Sequence, residues 1–568
     1  MVMGPRSLAE HFQPRALGIV LIAAIVSLPV VVVLSFVFHP AGDVWRHLSA
    51  TVLPLYVRNS ALLMVGVTLG TLALGVTTAW LTTMCSFPGR KIFEWALFLP
   101  LAIPAYIIAY TYTGMLDFSG PVQTFLRDQF EWSRGDYWFP EIRSLGGAMV
   151  MLSLVLYPYV YLLARSAFLE QSPYAIDVSR TLGCSTWSSF FRVSLPAARP
   201  AIIAGLSLAL METLADFGTV QYFGVPTFTT GIFRTWFGLG DSGAAAQLAV
   251  VLLAFIFFVF AAERWSRRRA SFHHVGNRSR PLGTYLLGPA GAWLAFSACA
   301  LTLALGFVVP VVQLSIWAAR TAGEMVGPDF FELLTHTLTL AAATAVISVL
   351  LALYLAYGRR AHATLPVRFA VRLAGMGYAV PGIVIAVGVM LPLAWLDNVV
   401  DAWLRSHFHV SSGLLLSGTL VALMLAYQVR FLAVSLQTVE SGLAKITPVI
   451  DEAGRSLGCR VSELVRRVHV PMLRGSLLTA SLLVFVDVMK ELPATLVLRP
   501  FDFNTLAVRA YELATDERLE DASTAALSIV AAGLVPVILL SLSIARTRYR
   551  ETLEVPYSPL PKVVGQQA

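Results

Sequence analysis

Charge is scarce in this sequence: of its 568 residues only 13% are Asp, Glu, Lys or Arg, against 57% hydrophobic. A soluble domain carries roughly 25% charged residues, so a water-soluble globule is excluded. Lysine is rarer still, with Lys91, Lys445, Lys490 and Lys562 making up the whole set. None of them stands in a Gly-x-x-x-x-Gly-Lys-Ser/Thr setting, which excludes a nucleotide-cradling loop within the chain. The four cysteines, Cys85, Cys184, Cys299 and Cys459, form no paired Cys-x-x-Cys. They imply neither a disulfide framework nor a zinc site. The His-Glu-x-x-His helix and the nucleophile elbow are missing too, and with them the commonest signatures of membrane-bound hydrolases.

Long apolar runs fill the space these absences leave. A bilayer core takes roughly 20 apolar residues per helix, and twelve runs approach or exceed that length, near 17–38, 61–83, 93–115, 146–169, 200–222, 244–262, 287–317, 335–357, 371–396, 412–436, 475–498 and 523–545. The first is too long for the apolar core of a signal peptide and no small-residue cleavage site follows it, so it reads as a retained helix. Basic loops resist translocation. Most of the 41 Lys and Arg residues fall on one side if both termini are cytoplasmic, with Lys490 left inside a span. The net charge of +8 is then a loop bias that meets anionic headgroups, and no nucleic-acid partner is expected.

The chain repeats itself. At a shift of 275 residues Pro173 falls on Pro448, Arg180 on Arg455, Leu182-Gly183-Cys184 on Leu457-Gly458-Cys459, Pro196 on Pro471 and Arg199 on Arg474. Upstream, "AIPAYIIA" (102–109) faces "AVPGIVIA" (379–386) at a shift of 277. Six spans therefore repeat as six spans in the same orientation, which puts a transport path at the interface between halves. The expected organisation is all-α and polytopic: a first half over 1–262 with its loop at about 170–199, an Arg-rich linker over 263–284, and a second half over 285–568 with its loop at about 445–474.

The two loops look ordered. Ser172-Pro173 and Thr447-Pro448 set a capping hydroxyl before a proline at the first helical position. Asp177 and Glu452 follow within the first turns, and Arg180 and Arg455 three residues later can pair with them. Gly183 and Gly458 then suit the left-handed turn that ends a helix, and a second amphipathic piece leads to Pro196 and Pro471. An interfacial helix resting on headgroups would need amphipathicity alone. Fixed Gly and Pro positions in both copies point instead to a protein partner.

These loops resemble the coupling motif of ABC importer permeases, an acid and two alanines followed by a glycine and an apolar-x-Leu-Pro ending. Glu452-Ala453-Gly454, Gly458, Val468 and Val470-Pro471 match it in the second half. Asp177-Val178-Ser179, Gly183, Val193 and Leu195-Pro196 keep the spacing in the first half but lose both alanines. The resemblance implies a type I permease fold with each short helix docked on a cytoplasmic ATPase subunit. Two such subunits would bind ATP and magnesium, while this chain carries no cofactor, metal or catalytic residue of its own. "LADFGTVQYFGVPTF" (214–228) and "KELPATLVLRP" (490–500) narrow the resemblance to fused two-half permeases of ferric-iron importers, whose relatives carry thiamine and other small solutes. A periplasmic binding protein and the cell inner membrane are implied with them.

Charges inside the spans are the remaining candidates. Glu212 and Asp216 in one half stand opposite Asp487, Lys490 and Glu491 in the other, and acids four residues apart share a helix face. Such residues line a wet path or pair within the protein, because a bare charge at mid-bilayer costs about 2.5–3.5 kcal/mol. They either gate the path, or pair with Lys490 and cap backbone freed near Pro493. In a proton-coupled transporter, the alternative of another class, they would be a relay. His407 and His409 read as a surface pair rather than ligands, and the stretch 117–144 as an outer interface or cap.

Overall fold

In a bilayer every backbone polar group must be satisfied within the protein, which leaves helices as the means for these runs to cross. The computed structural model describes residues 14–40, 42–133, 135–171, 178–179, 181–183, 186–268, 285–361, 364–459 and 461–553. Among them eleven helices are long and apolar enough to cross a membrane, and a pair bent by 92° makes a twelfth. In chain order these are α1 (Ala16–Phe38), α2 (Leu53–Met84), the bent α3 (Arg90–Ala102 with Ala105–Phe130), α4 (Leu145–Glu170), α5 (Phe190–Ala215) and α6 (Ser242–Trp265). The second half follows with α7 (Pro289–Met325), α8 (Pro328–Ala361), α9 (Gly382–Phe408), α10 (Leu420–Leu443), α11 (Val465–Met489) and α12 (Leu519–Leu539).

Four expected runs are broken rather than continuous. The run near 93–115 bends where Pro104 follows an extended Ile103; proline disfavours helical backbone in the residue before it. Its repeat in the second half breaks at the matching place, between Leu365–Ala374 and Gly382–Phe408, ahead of Pro381. The runs near 200–222 and 475–498 stop at Ala215 and Met489, and short helices Gly218–Tyr222 and Pro493–Leu498 follow. The stretch 117–144 likewise contains the helix Pro121–Phe130. Lys490, expected inside a span, falls just past the end of α11 at Met489, whereas Arg165 and Arg430 lie within α4 and α10.

Proline also explains why α5 and α11 begin as they do. Both open with a π turn, Phe190–Ser194 and Val465–His469, in which Leu195 N–H reaches the Phe190 carbonyl and Val470 N–H the Val465 carbonyl. The next residues are Pro196 and Pro471. A proline has no N–H and its ring crowds the carbonyl four residues back, and one extra residue in the turn relieves that clash. The π turn Ala304–Val308 in α7 precedes Pro310 in the same way.

The halves are interlocked. α1 lies against the second half, where Ile19, Ala23 and Val26 share a core with Ala370, Ile383 and Val387. A Cβ on Gly388 would sit 2.3 Å from the Pro29 carbonyl oxygen, so that close approach requires glycine. α7 lies against the first half, where Ala295 and Cys299 pack with Trp80, Phe93 and Tyr161. Tyr112 Oη donates to the Leu305 carbonyl at 2.6 Å. Residues Cys85–Ser86 and Tyr285–Leu286 pair as a short parallel ladder. The sequence boundaries of the halves are therefore not boundaries in space, since each half's first span embraces the other half. Lipid gives helices no hydrophobic drive to associate, and such close, small-residue contacts supply it by packing.

Candidate functional site

Where the halves meet, α3, α4, α5, α10 and α11 line a partly open cavity of about 140 Å³. It lies where α5 and α11 break, at the ends of those helices remote from the two loops. All five charged residues expected from the sequence line it: Glu212, Asp216, Asp487, Lys490 and Glu491. Arg430, Tyr106, Tyr159 and Tyr378 line it as well. The arginine within an apolar run was a legible signal for Arg430, whereas nothing in the pattern marked those tyrosines.

The acids divide by role. Asp216 accepts from Thr219 Oγ1 at 3.0 Å and Val220 N–H at 3.1 Å, capping the helix Gly218–Tyr222. Glu491, its equivalent at a shift of 275, accepts from Ala494 N–H at 3.0 Å and from Thr495 N–H at 3.1 Å. It also meets Arg430 Nη1 at 3.2 Å, and its side chain is 1% exposed. Asp487 pairs with Lys490 Nζ at 2.8 Å. The expectation that Glu212 and Asp216 share one helix face fails, because α5 ends at Ala215 and Asp216 is extended. A proton relay is poorly served by this arrangement, in which two of the four acids cap helices. Glu212 differs: it lines the cavity and makes no hydrogen bond or ion pair among the described residues.

The loops lie at the other end. In the second, a helix runs Pro448–Ser456 and ends at Gly458, whose φ of +78° is left-handed. Cys459 N–H bonds back to the Gly454 carbonyl at 3.0 Å, closing the end of the helix. Glu452 and Ala453 are exposed; the side chain of Arg455 lies outside the described part. Gly183 has φ +80°, whereas Pro173, Asp177, Arg180 and Cys184 lie outside the described residues. Pro196 and Pro471 sit inside continuous helices rather than at their starts, because the second amphipathic pieces, Thr186–Ser189 and Val461–Leu464, run through the π turns into α5 and α11.

On the face remote from the loops, Arg143 bridges the halves by donating to Glu517 at 2.7 and 2.8 Å. Those hydrogen bonds hold the Glu517 carboxyl below the usual glutamate range. His407 and His409 are exposed at the end of α9, His407 Nδ1 lying 2.9 Å from the Trp403 carbonyl. Among the described residues no three His, Cys, Asp or Glu converge as metal ligands.

Residues 71–272 match the family of binding-protein-dependent transport system inner membrane components. Along most of its length the chain is similar to the Fe(3+)-transport system permease protein FbpB 2 of Haemophilus influenzae, 28% identical over 489 residues, 85% of this chain and 88% of that protein. A stretch of about a third of the chain is similar to the molybdenum transport system permease protein ModB of Escherichia coli, 29% identical over 210 residues, 35% of this chain and 88% of that protein. A shorter stretch is similar to the sulfate transport system permease protein CysT of the same organism, 28% identical over 148 residues, 26% of this chain and 50% of that protein. With eleven helices and one bent pair able to cross a membrane, and with similarity along 85% of its length to a permease protein, the chain is homologous to the inner membrane components of binding-protein-dependent transport systems.

Proposed function

We propose that this chain is the permease of an ATP-driven importer for ferric iron. The observation that carries the cargo class is the charge of the cavity: Glu212, Asp216, Asp487 and Glu491 against Arg430 and Lys490, an excess of acids over bases. In a cleft with low-dielectric walls such an excess attracts cations and repels oxyanions, so the cavity suits a ferric cargo and not the molybdate or sulfate of the other relatives. A binding protein delivers the cargo on the face bearing Arg143 and Glu517. Two copies of an ATPase dock on the opposite face, one at the loop bearing Gly183 and one at the loop bearing Gly458, with both termini on the cytoplasmic side. The residues assigned to docking are Pro173, Asp177, Arg180, Gly183 and Pro196 in the first half, and Pro448, Glu452, Ala453, Arg455, Gly458 and Pro471 in the second. ATP and magnesium belong to the ATPase alone.

The test is uptake by the purified complex in lipid vesicles, supplied with ATP and the binding protein. Ferric iron should accumulate while molybdate and sulfate neither accumulate nor compete. Accumulation of an oxyanion would overturn the assignment of cargo.

A further inference from the structure

The motif-bearing acid Glu452 is exposed, and its neighbour Asp451 is the residue that the fold buries, at 6% exposure. Asp451 lies on the inward face of the helix Pro448–Ser456. Its Oδ2 accepts from Arg360 Nε at 2.7 Å. Arg360 stands at the end of α8 and reaches two further pieces of chain, donating to the Leu443 carbonyl at 2.9 Å and to the Thr447 carbonyl at 3.3 Å. One guanidinium thus ties together the end of α8, the end of α10 and the start of the loop helix.

The other oxygen of Asp451 meets α11. His469 Nε2 lies 2.7 Å from Asp451 Oδ1, within the π turn that opens α11 and two residues before Pro471. His469 is fully buried, and neither of its ring nitrogens makes an aligned hydrogen bond. The approach is close but off the bonding direction.

By register the first half carries other residue types at these three positions. Asp451, His469 and Arg360 correspond to Ile176, Ser194 and Thr83. There Ser179 Oγ lies 2.7 Å from Ser189 Oγ, Gln171 Nε2 donates to the Ser194 carbonyl at 2.8 Å, and the Thr83 carbonyl accepts from Arg90 at 3.2 Å.

We propose that Asp451, Arg360 and His469 form a charged joint through which the second loop, and not the first, transmits closure of its docked ATPase to α8, α10 and α11. This rests on the reading that the loop docks an ATPase. Asp451 and its partners are positioning residues: they contact neither nucleotide nor cargo. A buried ion contact resists displacement more than a contact between hydroxyls, so the two ATPase sites would act unequally on the spans.

Asp451→Asn keeps the shape and removes the charge. In vesicles containing the complete complex, it should keep its ATPase subunits and go on hydrolysing ATP, while cargo moved per ATP falls by about 5–150-fold, the usual range of a coupling between two sites. Asp451→Glu should restore part of that ratio, and Ser194→Ala in the first half should leave it unchanged. If Asp451→Asn fails to reach the membrane, Arg360→Lys, which retains the charge but not the three-way geometry, should show the same drop. An unchanged transport-to-hydrolysis ratio would overturn the joint, as would loss of the ATPase subunit from the variant, since the role would then be to shape the docking surface. A wild-type permease that retained no ATPase would refute the docking reading instead, before any variant is compared.

Discussion

At the scale of the residue, the charges in the cavity are not equivalent, and their partners say which can be changed. Glu491 is bonded to two backbone amides and paired with Arg430, so Glu491→Gln leaves a buried guanidinium without its paired carboxylate. Breaking a buried pair from one side costs about 3–5 kcal/mol, and the variant should be recovered from membranes in much smaller amount and melt earlier. Glu212 has no such partner. Glu212→Gln should leave the yield and melting temperature nearly unchanged and lower ferric uptake by about tenfold, equivalent to about 1.4 kcal/mol of lost cation stabilisation. A Glu212 variant that transported normally would return all four acids to the role of packing. The sequence made these residues visible because a charge in an apolar run stands out. It could not separate cap from free carboxylate, since that depends on where α5 and α11 stop. The break after Ala215 has no proline to mark it.

The elements show where sequence patterns were sufficient. Twelve apolar runs became eleven helices and one bent pair, and Thr447-Pro448 and Gly458 bracket a helix at Pro448–Ser456. In each case a local rule decided the outcome. What stayed hidden was the π turn at Phe190–Ser194 and at Val465–His469, because its cause is a proline further on whose effect depends on the helix continuing through it. The inward face of the loop helix was hidden too: Glu452 matched the motif, but the neighbouring Asp451 is the acid drawn into the protein, by an arginine 91 residues away in the chain. Gly183 and Gly458 both have positive φ and open space where a Cβ would be, so a substitution acts through backbone strain alone, at about 1–2 kcal/mol. Gly458→Val and Gly183→Val should therefore reach the membrane but bind the ATPase poorly, and the Gly458 change should be the more damaging because that loop carries the charged contacts to α8 and α11. Equal ATPase retention in both variants and the wild type would reduce the loops to connectors.

The whole molecule is a duplication whose copies have parted in charge. Both bases in the cavity, Arg430 and Lys490, come from the second half, while Glu212 and Asp216 come from the first. The repeat itself was legible, since six spans matched six at nearly one shift. The exchange of first spans was not, because no local pattern says that α1 crosses to pack on α8 and α9, or α7 on α2 and α3. That exchange makes the halves one unit, so a movement begun at one loop is felt on both sides of the cavity. The account as a whole claims that the movement is driven by ATP hydrolysed on other subunits. The direct measurement is cargo uptake into membrane vesicles in which ATP is depleted while the proton gradient is held by respiration. Uptake that ceases with ATP and returns when ATP is restored is the result expected here; uptake that persists without ATP and follows the gradient would contradict it.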